Sequence, residues 1–366
     1  MGLFIGSATV DVTILKVINM SNDDLHWMTL ALEEAQQGIG LTAPNPAVGC
    51  VLVRDGEELA RGWHQKAGTH HAERNALSKL ESGQAKDATA YVTLEPCSSQ
   101  GTTGACTDAL IEAGISRLVY AIPDPNPSHA GRADEFLRAS GIEVSSVLLE
   151  EECRHLIRGF AMVQTQGRPW VIAKTAMSLD GKITRPPGEG QWLTGPEARE
   201  DVQLVRAEVD AIITSGATVR QDDPSLTLRS AAISPQKKQP LRVVLTRSEI
   251  DQSAYQIFND SYPTRLFQDV PISGVLRTLA SEGINTVLLE SGGDLVGAFL
   301  DEGFIDEFVI YYAPIVTGGP TPAIGGKGAG SLEERYSLKD TTLVQIGPDL
   351  RMRGIIDREG PPPLER

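Results

Sequence analysis

Two short stretches constrain the fold of this chain more than any others: HAE at His71–Glu73, and PCSSQGTTGAC at Pro96–Cys106. Cys97 lies 26 residues after His71 and nine before Cys106. The first stretch opens a helical segment, and the second runs straight out of the apolar run ATAYVTLE. For the imidazole and the two thiols to meet, a helix start must be brought against the loop that follows a strand. The surrounding pattern allows this. DLHWMTLALEEAQQ (24–37) has helical periodicity, and AVGCVLVRDGEELARGWH reads as strand, Asp-Gly turn, strand. Residues 71–80, TDALIEAG and EFLRASG read as helices, while RLVYAIPDPNP and IEVSSVLL contain strands. That alternation predicts an α/β layer architecture.

The donor set is that of zinc, which takes imidazole and thiolate ligands and, in a catalytic site, keeps a fourth position for water. His71, Cys97 and Cys106 supply one nitrogen and two sulfurs. Glu73 can then face the water rather than the metal, and zinc lowers the pKa of such a water to about 7. Glu73 is therefore the expected proton shuttle. H-x-E followed by P-C and a second Cys is the arrangement of zinc nucleobase deaminases. A satisfied histidine beside two core thiols is the plainer alternative. The complete ordered set, Pro96 before the first Cys and the place of each ligand at an element junction favour zinc. The usual C-x-x-C is here stretched to eight intervening residues.

The chain has 366 residues, enough for two domains, and a net charge of -15. Such acidity excludes broad nucleic-acid or membrane-surface binding, which needs clustered Lys and Arg, but allows a small phosphorylated substrate. No apolar run of about 18 residues predicts a membrane span. The first twenty residues lack the basic start and cleavage site of a signal peptide. Four cysteines do not make a disulfide scaffold. Cys50 is expected in a strand and Cys153 as a bystander. A cytoplasmic enzyme acting on a small molecule, assembled as a homo-oligomer, is the expectation. Residues 1–22 are expected to be an extension without a fold of its own, with Met20 as an alternative start. Residues 23–166 form the first expected domain and 167–360 the second. In the second, PWVIAKTAMSLDG, AIITSG, PLRVVLT, TRLFQ, NTVLLE and DEFVIYYAPIV are expected to supply strands. PEAREDVQLVRAEV is an expected helix and ATVRQDDPSLTLR a loop.

Several further stretches form an ordered set: PNPAVGCV (44–51), YVTLEPCS (91–98) and DPNP (124–127) around the ligands, then KTAMSLDGK (174–182), QWLTG (191–195), DAIITSGATVRQDDPSLTLR (210–229) and LLESGGDLVGAFL (288–300). With them the chain resembles the bifunctional deaminase–reductases of riboflavin biosynthesis, from about residue 23 to 358. The resemblance implies an N-terminal cytidine-deaminase-like three-layer domain and a C-terminal dihydrofolate-reductase-like domain. It implies zinc-dependent deamination of 2,5-diamino-6-(5-phosphoribosylamino)pyrimidin-4-one, then NADPH reduction of the ribosyl group to ribityl. By position, His71, Cys97 and Cys106 would bind zinc, Glu73 would shuttle the proton, and Asn45 would hold the pyrimidine and sugar. Ala176, Trp192, Thr218, Asp222 and the run Gly292, Gly293, Asp294, Leu295, Val296, Gly297, Ala298 would bind NADPH. Arg206, Leu226, Arg229 and Glu290 would contact substrate.

Read from its residues alone, the second half has no G-x-G-x-x-G after a strand. Gly292 and Gly293 would let the backbone approach a pyrophosphate at a helix N-terminus, although Gly-Gly is also common packing punctuation. Arg206 and Arg229 suit a phosphate monoester, the alternative for Arg206 being a solvated surface charge. Lys174 is either a buried pair partner or a ligand for the sugar phosphate. Arg247, after the strand LRVVLT, is expected to read an adenosine 2′-phosphate. One loop departs from the family. Ser99 stands where the family carries a His, Thr102 replaces a basic residue, Gly104-Ala105 replace Pro-Pro, and Gly131-Arg132-Ala133 stand at its G-x-G. This leaves three enzymatic readings: the usual deaminase, a deaminase shifted to another base, or a weakened deaminase beside a working reductase. A non-catalytic protein stapled by zinc stands apart, with His70 as the conceivable fourth ligand.

Overall fold

The structure is a computed structural model that describes residues 22–98, 104–126, 129–146, 148–183, 192–331 and 333–358. The expected N-terminal extension up to residue 21, residues 99–103 of the loop between the cysteines, Pro127 and Gln191 lie outside them. The chain divides into two compact units between Ala161 and Met162, inside the helix Arg158–Gln166.

The first unit is a sheet of five strands between two helical layers. Its elements are α1 (Asn22–Gln36), β1 (Gly49–Arg54), β2 (Glu57–Trp63), α2 (Ala72–Leu77), β3 (Thr89–Val92), α3 (Cys106–Glu112), β4 (Arg117–Tyr120), α4 (Arg132–Ala139), β5 (Glu143–Ser146), α5 (Glu150–Leu156) and α6 (Arg158–Gln166). The strand order is β2-β1-β3-β4-β5. The β1–β2 and β1–β3 pairs are antiparallel, and β3–β4 and β4–β5 are parallel. Strand period two sorts the side chains cleanly. Cys50, Leu52, Ala90, Val92, Leu118 and Tyr120 face one core with Ala72 and Ala76 of α2, Leu110 of α3 and Leu137 of α4. Val51, Val53, Tyr91 and Val119 face the other, with Met28, Ala31 and Leu32 of α1 and Cys153 of α5. The three layers expected of a cytidine-deaminase-like domain result.

The second unit is built on eight strands in the order β12-β13-β11-β6-β10-β7-β8-β9. They are β6 (Trp170–Ser178), β7 (Ala211–Ser215), β8 (Leu241–Thr246), β9 (Thr264–Gln268), β10 (Thr286–Glu290), β11 (Glu307–Ala313), β12 (Ser337–Ile346) and β13 (Asp349–Asp357). The six strands from β11 to β9 run parallel, and β13 and β12 add an antiparallel margin. Helices α7 (Pro196–Arg206), α8 (Gly216–Asp222) and α9 (Gln256–Asn259) cover one face, and α10 (Ile272–Ser281) and α11 (Gly293–Asp301) the other. This is an open, mostly parallel sheet with helices on both faces, the α/β class expected of the second domain. The chain lays β7, β8 and β9 to one side, then returns to insert β10 beside β6, so the crossover reverses there. Ligands of open α/β sheets bind outside the strand ends at such a point.

Two expectations change here. Residues 217–222, read as loop, belong to α8, because Ser215 caps it by accepting from Thr218 N. The β12–β13 pair escapes the sequence reading. Residues 339–345 of β12 are exposed on both faces, which removes the apolar alternation by which a strand is recognised.

Candidate active sites

His71 is the N-cap of α2 in extended backbone, and Cys106 opens α3 directly after its N-cap Ala105. Cys106 N and Thr107 N both donate to Cys97 O, at 3.0 and 3.2 Å, which folds the loop after β3 back onto its own start. His71 Nδ1 then stands 3.5 Å from Cys97 Sγ and 3.5 Å from Cys106 Sγ. A tetrahedral zinc with nitrogen at about 2.0–2.1 Å and sulfur at about 2.3 Å sets those same N···S edges at about 3.5 Å. The donor atoms therefore fit the ion. Among the described residues the cluster holds these three ligands, and His70, which is exposed, is not one of them. That is the open count of a catalytic site and not the closed count of a structural one.

The electrostatics agree. The Cys106 thiol donates to Cys97 and, with His71, holds the Cys97 thiol at about 4, while that thiolate and burial push the Cys106 thiol up. A bound dication would deprotonate both thiols. Glu73, at the second position of α2, is buried. Burial, then the Cys97 charge, raises its carboxyl above the usual carboxylate range. A raised carboxyl pKa suits a group that must both take up and release a proton.

Asn45 lies beside this cluster through His64, whose ring meets that of His71 edge-on at 5.2 Å. His64 Nδ1 is 3.0 Å from His70 O, and its Nε2 is 3.0 Å from Asn45 Nδ2. A carbonyl can only accept, so Nδ1–H donates. Burial lowers the His64 pKa and favours the neutral ring, so Nε2 accepts from the Asn45 amide. Asn45 is left with its Oδ1 to offer.

In the second unit, parallel register puts Lys174 of β6 directly beside Glu290, the last residue of β10. Arg206, at the end of α7, donates from Nε and Nη2 to the two Glu290 oxygens, at 2.6 and 3.0 Å. Lys174 Nζ lies 3.7 Å from Glu290 Oε2. Arg206 and Glu290 are buried, so the surface-charge reading of Arg206 is overturned. Burial alone would raise the Glu290 pKa, but the Arg206 and Lys174 charges hold it at about 2. Burial lowers the Lys174 pKa, and Glu290 partly restores it. Arg229 is exposed, donates to Ser225 Oγ at 3.0 Å and makes no carboxylate bond among the described residues. Leu226 has φ +50° and its side chain belongs to the core with Val219, so only its backbone can meet a ligand.

The cofactor candidates separate into two groups. Thr218 Oγ1 lies 2.9 Å from Ser215 Oγ and 3.2 Å from Ser291 Oγ, and it accepts from Gly292 N at 3.3 Å. It therefore joins the start of α8 to the start of α11. Gly292 is the N-cap of α11, and a Cβ there would meet nothing within 4 Å. The α11 N-terminus is thus a cradle open to an anion, and the N–H groups of Gly293, Asp294 and Leu295 are its first-turn donors. Gly293 and Gly297 owe their lack of a side chain to something else. A Cβ on Gly293 would stand 2.2 Å from Pro322 O, and one on Gly297 2.2 Å from Gly326 N. These glycines admit the Pro322–Gly326 backbone, and Val296 is a core side chain. Ala298 is half-buried in the same helix, and Asp222 closes α8 half-buried. Ala176 pairs with Tyr311 across β6–β11. Trp192 is exposed, with the Arg199 guanidinium 5.5 Å above its ring. Arg247 is exposed and follows the last residue of β8, Thr246, which packs against Gly216 at the start of α8.

Comparison with known proteins agrees with both halves. The cytidine and deoxycytidylate deaminase zinc-binding region matches residues 21–122, and the RibD C-terminal domain matches 169–352. The riboflavin biosynthesis protein RibD of Escherichia coli is 38% identical over 359 residues, covering 89% of this chain and 98% of that protein. The chain belongs to the RibD family. Among solved structures, RibD of Acinetobacter baumannii superposes with a TM-score of 0.84 at 38% identity, covering 92% of this chain and 99% of its own. A diaminohydroxyphosphoribosylaminopyrimidine deaminase/5-amino-6-(5-phosphoribosylamino)uracil reductase from Thermotoga maritima gives 0.81 at 30% identity, with the same coverage.

As a RibD-family protein the chain carries further residues that sequence reasoning missed. Glu95, immediately before Pro96-Cys97, is buried. Its Oε2 accepts from Asp124 N at 3.1 Å and Gly131 N at 3.0 Å, and its Oε1 from Ala133 N at 3.1 Å. It ties both ends of the 124–133 segment to the cysteine loop and caps α4, whose own N-cap, Gly131, has no side chain. An acid inside the apolar run VTLEP was the available signal. Tyr311, fully buried, donates to Asp201 Oδ2 at 2.6 Å, and Lys174 Nζ lies 5.9 Å from its ring centre.

Proposed function

We propose that the first unit deaminates 2,5-diamino-6-(5-phosphoribosylamino)pyrimidin-4-one and that the second reduces the ribosyl group of its product to ribityl with NADPH. Membership of the RibD family and the presence of both halves support the pair of activities. The observation that carries the deaminase is the three-ligand cluster at zinc-sized edges with buried Glu73 beside it. His71, Cys97 and Cys106 would hold zinc, which would supply a Lewis acid and a positive charge. Glu73 would take a proton from the attacking water on a carboxylate oxygen and deliver it to the departing amine. Asn45 Oδ1, fixed by His64, accepts from the base or the sugar.

In the second unit the open N-terminus of α11, with Gly292 and Thr218 around it, would hold the pyrophosphate of NADPH, which would supply a hydride. Arg247 meets the adenosine 2′-phosphate. Lys174, Arg206, Arg229 and Glu290 position the ribosyl phosphate, and the protein's part is chiefly alignment. The chain works in the cytoplasm as a homo-oligomer. Among the described residues no helix is long and apolar enough to cross a membrane.

Separate assays test the two halves. Pre-deaminated substrate should drive NADPH oxidation with no ammonia, and the undeaminated compound should release ammonia without NADPH. Oxidation without any ammonia from the undeaminated compound would leave the reductase standing beside a weakened or re-targeted deaminase.

A further inference from the structure

Arg74 follows Glu73 on α2. One residue rotates a helix by about 100°, so the two side chains leave the helix toward different walls. Glu73 is buried inward, while Arg74 reaches the loop between the cysteine ligands. Its Nη2 donates to Ala105 O at 2.8 Å, the residue immediately before Cys106. It also rests on Gly104, whose φ is +73° and where a Cβ would come within 2.9 Å of that nitrogen. The turn at Gly104 is closed to proline, whose ring locks φ near -65°. The loop thus takes a path on which its backbone, bare of side chain, meets the guanidinium.

That single bond to a neutral carbonyl leaves Arg74 incompletely used. Its Nε is buried with no acceptor, and no carboxylate pairs with it among the described residues. Several other buried or half-buried guanidinium groups are closed by acids: Arg117 by Asp24, Arg168 by Asp306, Arg206 by Glu290, Arg242 by Asp260, Arg353 by Glu307. A guanidinium has five donors, and leaving them buried and unmet is costly. The acid next to it in sequence, Glu73, is already committed to the proton. A ligand that brings its own anionic oxygens completes Arg74, and a neutral ring does not require its charge.

We propose that Arg74 is a substrate-recognition residue of the deaminase, binding the phosphate monoester of the substrate from the wall formed by Gly104 and Ala105. This rests on the deaminase reading above. A fixed, partly desolvated guanidinium is the group suited to bidentate contact with phosphate oxygens.

The test uses the full-length, zinc-loaded protein, with ammonia release measured on the ribosyl phosphate substrate and on its dephosphorylated ribonucleoside. Arg74→Met should lower kcat/KM for the phosphorylated compound about 10- to 100-fold, the worth of a charged hydrogen-bonding partner, through KM. The ribonucleoside should change by less than about threefold, since it makes no such contact. Zinc content should stay at the wild-type level, and Arg74→Lys should recover part of the loss as a point charge. Equal losses on both compounds would reduce Arg74 to a brace for the cysteine loop, and loss of zinc with activity would do the same. Wild-type protein that deaminates neither compound would overturn the deaminase reading itself, and this assignment with it.

Discussion

Glu290 is the residue whose change the structure lets one weigh most fully. Its carboxylate closes two buried cations, Arg206 through two hydrogen bonds and Lys174 at 3.7 Å. Glu290→Gln keeps the shape and removes the charge. Arg206 and Lys174 then face each other in a buried site without a counter-ion. Breaking a buried pair from one side costs about 3–5 kcal/mol. The depressed carboxyl pKa gives a second route to the figure. Lowering the Glu290 pKa from 4.5 to about 2 corresponds to roughly 3 kcal/mol of stabilisation. For a domain of this size that is a fall in Tm of about 6–20 °C.

The sign with pH follows. A depressed carboxylate pKa gives stability that is fully present above 4.5 and is lost as pH falls toward 2. Wild-type protein should therefore lose this increment across that window, and Glu290→Gln should not. Calorimetry that resolves the reductase transition reads both effects. The triple variant Glu290→Leu, Arg206→Met, Lys174→Met should regain most of the stability while remaining inactive, because the cost lies in the uncompensated charges. A Glu290→Gln protein destabilised by less than about 1 kcal/mol, or one with unchanged acid sensitivity, would refute the reasoning.

Other outcomes follow from the same geometry. Glu73→Gln should lower ammonia release about 10²- to 10⁴-fold with zinc content and NADPH oxidation unchanged, as metal analysis and the two assays would show. Chelation of zinc should abolish ammonia release but spare NADPH oxidation on pre-deaminated substrate; parallel loss of both would show that the metal also supports the second unit. Arg247→Ala should raise KM for NADPH far more than for NADH, and equal effects would remove Arg247 from the cofactor site. Gly293→Ala must displace the Pro322 carbonyl that a Cβ would meet at 2.2 Å, so thermal denaturation should show a loss of about 1–3 kcal/mol.

The metal centre was legible because its chemistry needs particular residue types, and each stands where an element begins or ends. His71 caps α2, Cys97 follows β3 and Cys106 opens α3. The proposed reductase site rests mainly on resemblance. Its key group, Lys174–Glu290–Arg206, draws on β6, β10 and α7, and only the strand order brings these together. No local pattern records that Arg206 turns inward. The Gly292–Ala298 run shows the opposite difficulty. Its glycines suggested phosphate binding, yet Gly293 and Gly297 serve close backbone packing, and Gly292 alone faces open space. Glu95 was overlooked because three of its partners are main-chain N–H groups, which leave no trace in side-chain pattern.

The central claim is that one chain performs both steps in order. The most direct measurement follows ammonia and NADPH together after zinc-loaded protein is mixed with the undeaminated ribosyl phosphate. The account predicts ammonia first, then NADPH oxidation after a lag, in equal final amounts. NADPH oxidation that precedes ammonia, or proceeds without it, would contradict it.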